Sequence, residues 1–218
     1  MANHSNSTTH PAHVLHHFSS SDQQFDAAKF GMWVFIVTEI LFFGGLFVAY
    51  IIYRYWYPDL FTMASQHLIT MAGAINTMVL IASSVSVAMS IRAAQLNQKK
   101  NIIIGLAVTL FFAIVFLGIK SYSWTHEFHQ GIYPGKFYAY EGIAHAQAPI
   151  FFGLYYVMTG LHVIHVLIGI GLMIWLLKKA IKGDFGSEYY TPIEITGLYW
   201  HFVDLIWIFL FPLFYLVA

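Results

Sequence analysis

Cysteine is absent from this 218-residue sequence, and charged residues are scarce. Without cysteine, the chain cannot form disulfides, iron–sulfur clusters, thiolate-ligated heme or a copper site built on thiolates. A redox metal could therefore bind only through histidine, methionine, tyrosine or carboxylate side chains. Charged residues make up 9% of the chain, compared with about 25% in soluble domains. With a formal net charge of zero, the composition indicates neither a water-facing surface nor a basic surface for nucleic acid.

Hydrophobic residues, in contrast, make up 59% of the chain, and many of them form long runs. A bilayer core of roughly 30 Å is crossed by about 20 apolar residues in a helix. Membrane-spanning strands are shorter and alternate polar with apolar residues, so these runs predict helices. The sequence therefore predicts an all-α membrane protein, a bundle of five transmembrane helices within residues 29–218. The predicted spans are about 30–53, 68–91, 102–121, 150–177 and 193–217.

Residues 1–28 form a polar segment that is rich in histidine. A metal-binding tail is one interpretation of the histidines, and a solvated tail without fixed structure is the favoured one. The segment has no basic stretch followed by an apolar core, so no cleaved signal peptide is predicted. Its histidines are His4, His10, His13, His16 and His17.

The distribution of basic residues predicts the orientation of the chain in the membrane. Five spans place the two termini on opposite sides, and most lysines and arginines then lie on the N-terminal side. The positive-inside rule therefore places the N-terminus in the cytoplasm and the C-terminus outside. The three basic residues assigned to the outer side are Arg54, Lys120 and Lys136.

Several ionisable residues stand inside the predicted spans, where a carboxylate or a basic side chain costs roughly 2.5–3.5 kcal/mol to insert. The rise per residue of a helix predicts that Glu39 of the first span lies near the middle of the membrane. It predicts the same depth for His162 of the fourth span and for His201 and Asp204 of the fifth. Such groups are expected to face protein and to have partners. The candidate structural or proton-related residues are Glu39, His162, His165, Glu194, His201 and Asp204.

These residues allow more than one interpretation. His201 and Asp204 are three residues apart on one helix face, so they could hydrogen-bond each other or a neighbouring helix and stiffen the bundle. His162 and His201 on facing helices could ligate heme, and adding His165 would give a zinc or copper site. Both metal interpretations are disfavoured, because nothing in the spacing fixes a ligand set. Glu39 has no basic residue in its span and could be structural, lipid-facing or part of a proton path.

Three motifs in order resemble subunit III of the heme–copper respiratory oxidases. Residues 35–50 include a buried acidic position, Glu39, and residues 159–169 contain Gly160-Leu-His162-Val-Ile-His165. Residues 194–207 contain Tyr199-Trp-His201-Phe-Val-Asp204 and end in a tryptophan. The chain is similar to the short, five-helix bacterial type. It departs from the family near Ser123, where an acidic residue is common, and Glu127 is the nearest replacement.

The resemblance implies an accessory subunit of a cytochrome c oxidase, with no catalytic site and no redox cofactor in this chain. Hemes and copper are expected in the partner subunits I and II. Subunit III of this family packs on subunit I, holds phospholipid and supports proton uptake and durability of turnover in the bacterial plasma membrane. The alternatives are subunit III of a quinol oxidase, or an independent membrane heme protein using His162 and His201. A transporter is disfavoured because no inverted repeat is visible.

Overall fold

The computed structural model describes residues 18–143 and 145–217. Five of its helices are long and apolar enough to cross a membrane, which confirms the predicted fold class. A short helix and one turn of 3-10 helix, Gly135–Phe137, lie in the connections, and this part of the chain contains no β-strand. The helices are α1 (Ser21–Trp56), α2 (Pro58–Ser65), α3 (Thr70–Gln95), α4 (Lys99–His129), α5 (Ala148–Lys182) and α6 (Thr191–Tyr215).

The first helix begins earlier than the apolar run alone indicates. The Ser20 side chain accepts a hydrogen bond from the Gln23 backbone nitrogen, 3.1 Å away, and Asp22 lies in the first turn. Both features stabilise a helix N-terminus, because they satisfy a free backbone donor and oppose the helix dipole. The end of the predicted polar tail is therefore helical. Its histidines fall outside the described residues.

The fourth helix extends well past the predicted end of its span and includes Lys120, Ser123 and Glu127. These residues recur every three or four positions, so they share one face of α4, and that face is buried. The predicted outer loop at 122–149 therefore begins as helix, and the irregular part is shorter. This stretch can stay helical because its buried face packs these three polar side chains into the bundle.

Helices α3, α4, α5 and α6 form a four-helix arrangement in which α3 and α5 each pack against α4 and α6. Helix α1 lies along α5 and α6 at the side of this arrangement. The two tryptophans of α6 are buried and reach toward α3. Trp200 Nε1 donates to Ser83 Oγ at 3.0 Å, and Trp207 Nε1 donates to Thr77 Oγ1 at 3.1 Å. These bonds fix the rotation of α6 relative to α3.

Close helix approach depends on one of the glycines of α5. A Cβ atom at Gly169 would lie 2.5 Å from the Trp200 ring, so α5 and α6 can pack at this spacing only without a side chain there. The other glycines of α5 and the Gly44-Gly45 pair of α1 make no such contact within this chain. The others face open space: Gly44, Gly45, Gly153, Gly160 and Gly171.

Candidate functional site

The polar residues predicted inside the membrane do not form one cluster, and the structure distributes them among separate places in the bundle. Glu39 of α1 contacts His165 of α5, with 3.1 Å between Glu39 Oε2 and His165 Nε2. His165 Nδ1 lies 2.8 Å from the Leu161 carbonyl oxygen. Since that carbonyl can only accept, Nδ1 carries the proton of the neutral imidazole. Nε2 then accepts from a protonated Glu39, or the pair exists as carboxylate and imidazolium.

Aromatic rings surround the Glu39–His165 pair and limit its access to water. The rings of Phe43 and His165 meet edge to face with centres 5.4 Å apart. Tyr199 of α6 stacks on His165 and donates its hydroxyl to the His165 carbonyl oxygen at 2.9 Å. The two side chains remain partly exposed on the surface that α1 and α5 share. This pair is therefore accessible from the membrane side, although its protein surroundings are apolar.

His162 lies one turn from His165 but in the interior of the four-helix arrangement. Its imidazole packs between the rings of Phe116 and Trp207, whose centres are 5.5 Å and 5.2 Å from it. Neither ring nitrogen of His162 has a hydrogen-bond partner among the residues that the structure describes. His162 was predicted to lie at the same depth as other polar residues and to have a partner. The structure shows no such partner among the described residues.

His201 and Asp204 lie on the side of the bundle where α3 meets α6. His201 Nδ1 pairs with Ser84 Oγ of α3 at 2.5 Å. Asp204 is buried, and both of its carboxyl oxygens lack a hydrogen-bond partner in the described part of the chain. Ser84 is within interaction range of this carboxyl group but is bonded to the histidine. His201 therefore bonds a neighbouring helix, which is one of the two predicted alternatives, and the structure shows no direct bond between His201 and Asp204.

Glu194 lies near the start of α6 and has a partner on another helix. Its Oε1 is 2.9 Å from Lys29 Nζ of α1. The ion pair joins the first turns of α6 to α1 at the end of the bundle where α1 begins. Glu194 is thus separate from the groups at mid-depth, despite its seven-residue spacing from His201.

Sequence reasoning missed the most extensive polar network, which surrounds Lys120. This lysine is buried, and its Nζ donates to Tyr155 Oη at 2.8 Å and to Tyr215 Oη at 3.0 Å. Tyr155 Oη donates to Glu127 Oε1 at 2.9 Å, and Tyr156 Oη donates to Glu127 Oε2 at 2.9 Å. A lysine and a carboxylate are thereby joined through tyrosine hydroxyls across α4, α5 and α6.

Aromatic faces also surround the Lys120 ammonium group. It lies 4.5 Å from the centre of the Tyr155 ring and 5.5 Å from that of Trp207, distances typical of cation–π contacts. Lys120, which the count of basic residues assigned to the outer side, is therefore buried inside the bundle. The seven-residue spacing of Lys120 and Glu127 was the sequence signal available, because such residues share a helix face.

The described residues contain no group of three or more histidine, aspartate or glutamate side chains arranged to hold a metal ion. His162, His165 and His201 are directed to three different surroundings: an aromatic core, a carboxyl group and a serine hydroxyl. The arrangement can hold protons and hydrogen-bond partners at mid-depth. It offers no shared ligand set for zinc or copper.

Comparison with known proteins places these features in a family. The family model for cytochrome c oxidase subunit III matches residues 14–218. Cytochrome c oxidase subunit 3 of Thermostichus vulcanus is 31% identical over 203 residues, which cover 88% of this chain and 89% of that protein. A probable quinol oxidase subunit 3 of Staphylococcus saprophyticus is 25% identical over 190 residues, which cover 87% of this chain and 89% of that protein.

A third relative joins two subunits in one polypeptide. The heme-copper oxidase subunit I+III of Aeropyrum pernix is 30% identical over 203 residues. The match covers 88% of this chain and 23% of that protein. Redox centres of these oxidases lie in subunit I, and subunit III is an accessory membrane subunit. The chain described here belongs to the cytochrome c oxidase subunit III family.

Proposed function

We propose that this chain packs against the heme-bearing subunit I of a cytochrome c oxidase and supports proton uptake and the durability of that enzyme during turnover. The observation that carries the proposal is the Glu39–His165 pair at mid-depth on a partly exposed face. A carboxyl group and an imidazole in contact can pass a proton from one to the other, and the pair can take up or release a proton with a change of one charge. They lie beside apolar rings and membrane, where an ionisable pair indicates a functional site.

The test uses the complex as it exists in native membranes. Affinity-tagged chain extracted in mild detergent should carry a heme-bearing subunit, identified by its absorption band and by mass spectrometry. In the purified complex, Glu39→Gln should leave the initial rate of oxygen consumption near that of the wild type and shorten the period over which it is sustained. Immediate loss of oxygen reduction in a fully assembled Glu39→Gln complex would assign this chain a catalytic role.

The electron donor is proposed to be a cytochrome c, with a quinol as the alternative. The support is sequence similarity: the cytochrome c oxidase relative is 31% identical and the quinol oxidase relative is 25% identical to this chain. Subunit II is the second expected partner in either case. Oxidation assays of the purified complex with reduced cytochrome c and with a soluble quinol distinguish the two donors.

Phospholipid is proposed to bind along a groove between α3 and α4. The groove has a volume of about 530 Å³ and a mainly apolar lining that includes Val85, Met89, Ile104 and Val108, with Arg92 at one end. Arg92 lies ten positions after Ala82 in α3, and both line the groove, so the apolar part between them rises about 15 Å. This length matches one leaflet of a bilayer core of about 30 Å, and a basic residue at its end suits an anionic headgroup.

The proposed location is the bacterial plasma membrane, with the N-terminus in the cytoplasm. Burial of Lys120 removes one of the three basic residues assigned to the outer side. Arg54 and Lys136 remain there, against seven lysines and arginines on the N-terminal side. The positive-inside rule thus favours the proposed orientation more strongly than the sequence count did. Accessibility of single cysteines introduced at residues 98 and 136 to a membrane-impermeant reagent tests it.

A further inference from the structure

A shallow groove runs between α3 and α6 at the depth of Asp204. It has a volume of about 400 Å³. Aliphatic side chains and one alanine form most of its lining, and Ser84, His201 and Asp204 supply its polar part. Small and aliphatic residues with an occasional polar group are typical of contacts between membrane helices. The aliphatic and alanine positions are Ile81, Val85, Ala88, Leu205 and Ile208.

The polar part of the groove lacks one hydrogen-bond donor. His201 Nδ1 pairs with Ser84 Oγ, while Nε2 bonds no described residue. Asp204 is buried beneath them with both oxygens unpartnered among the residues described. Asp204 is the fourteenth of the 25 residues of α6, so it lies near the middle of that span. A buried carboxyl group without partners is costly, and in natural proteins such a group calls for an explanation.

A donor delivered to His201 Nε2 would satisfy the whole chain of groups. If Nε2 accepts, the proton of the neutral imidazole lies on Nδ1 and is donated to Ser84 Oγ. The Ser84 hydroxyl is then free to donate its own proton toward the Asp204 carboxyl, which lines the same groove. One external donor thus sets the tautomer of His201, the direction of the serine hydroxyl and the pairing of Asp204.

We propose that this groove, defined by Ser84, Val85, His201, Asp204, Leu205 and Ile208, is the docking surface for a membrane-spanning helix that presents a hydrogen-bond donor at mid-depth. Acyl chains carry no donor, and lipid headgroups lie at the membrane surface, so lipid leaves His201 Nε2 without a donor. The inference rests on the proposed function, which makes the helix one of subunit I. Serine, threonine, asparagine, tyrosine and tryptophan are the side chains that provide a neutral donor.

Exposed valines on two faces give a matched test in the tagged complex. Val85 in the groove is 57% exposed, and Val48 on α1 is 56% exposed. A tryptophan at either position has room in the isolated chain, but at Val85 it would fill the groove. Val85→Trp should lower the amount of co-purified heme-bearing subunit about tenfold or more, and Val48→Trp should keep it within about twofold of the wild type. Equal effects, or loss with Val48→Trp alone, would overturn the proposal.

Photo-crosslinking identifies the occupant directly. A photoreactive amino acid at Ile208 in the groove is compared with one at Ile52 on α1, since these isoleucines are 44% and 43% exposed. Crosslinks from Ile208 to the heme-bearing subunit support the docking surface. Crosslinks from Ile208 only to lipid, or to a second copy of this chain, overturn it.

The two proposals fail in distinguishable ways. If the wild-type chain carries no heme-bearing subunit, the proposed function is wrong. If the heme-bearing subunit is present but crosslinks only from Ile52, the function stands and the docking surface is wrong. His201→Phe, which keeps a ring of similar shape but removes the acceptor, should lower co-purification while the unfolding temperature of the isolated chain stays close to that of the wild type. An unchanged yield of complex with His201→Phe would contradict the role given to Nε2.

Discussion

The polar network around Lys120 and the carboxyl group of Asp204 are both buried, but they differ in whether the chain itself supplies their hydrogen-bond partners. Lys120, Tyr155 and Glu127 satisfy one another through hydroxyl groups inside a single chain. Asp204 and His162 are equally buried, yet no described residue bonds their polar atoms. The first cluster is complete within the chain, whereas the proposed docking surface would supply an outside donor to the groups around Asp204. Burial alone therefore does not tell whether a polar group is satisfied within the chain: Lys120 and Glu127 have partners there, whereas Asp204 and His162 have none among the described residues.

The largest effect is expected from breaking the complete network. Glu127→Leu leaves Lys120 buried without its carboxylate and should lower the free energy of unfolding of the isolated chain by about 3–5 kcal/mol. Denaturant or thermal unfolding in detergent measures this loss. The double variant Lys120→Met/Glu127→Leu removes both charges together and should lose much less. A double variant as unstable as Glu127→Leu would show that charge pairing is not what stabilises the network.

A smaller effect is expected from moving the carboxylate within the same helix face. Glu127→Gln weakens the bonds from Tyr155 and Tyr156 and should cost about 1–3 kcal/mol. Ser123 lies one turn earlier on the same buried face. Ser123→Glu combined with Glu127→Gln should recover part of the loss in the same unfolding assay. If adding Ser123→Glu destabilises the Glu127→Gln variant further, a carboxylate at residue 123 cannot replace the one at residue 127.

Removing His162, the core histidine whose nitrogens bond no described residue, should raise the free energy of unfolding rather than lower it. Replacing His162 with leucine removes two buried nitrogens that lack partners, and we expect the isolated chain to gain about 1 kcal/mol. His165→Leu, one turn away on the same helix, is the control and should destabilise because it leaves Glu39 without a partner. Unfolding curves for the two variants compare these effects. A large loss with His162→Leu would indicate that its ring packing against Phe116 and Trp207 outweighs the unsatisfied nitrogens.

The smallest effect on stability is expected at Glu39, where the prediction concerns reactivity. A hydrophobic carbodiimide reacts with a protonated carboxyl group in apolar surroundings, and Glu39 is partly exposed toward the membrane whereas Asp204 is buried. Glu39 should therefore be labelled before Asp204 in the isolated chain, as measured by peptide mass spectrometry. Faster labelling of Asp204 would contradict the difference in access between the two faces.

Much of the fold could be read from hydrophobic run length, but the partners of the polar residues could not. Five helices and the depth of Glu39 and Asp204 follow from residue counts and helix rise. The contact between Glu39 and His165 joins residues 126 positions apart, and no spacing rule connects them. The helical extension through Glu127 was missed for a related reason. Its polar residues reduce hydrophobicity along the chain, although Lys120, Ser123 and Glu127 face inward.

Composition and the order of apolar runs thus determined that the chain is a five-helix membrane protein, and the motifs around Glu39, His162 and Asp204 indicated its family. Tertiary structure alone decided which polar groups meet: Glu39 with His165, Ser84 with His201, Lys29 with Glu194, and Lys120 with Tyr155. The physical reason is that helix spacing fixes the face of each residue on its own helix, whereas the rotation of one helix against another is set by packing. Contacts such as Gly169 against Trp200 set that rotation, and with it which polar groups are left facing a partner.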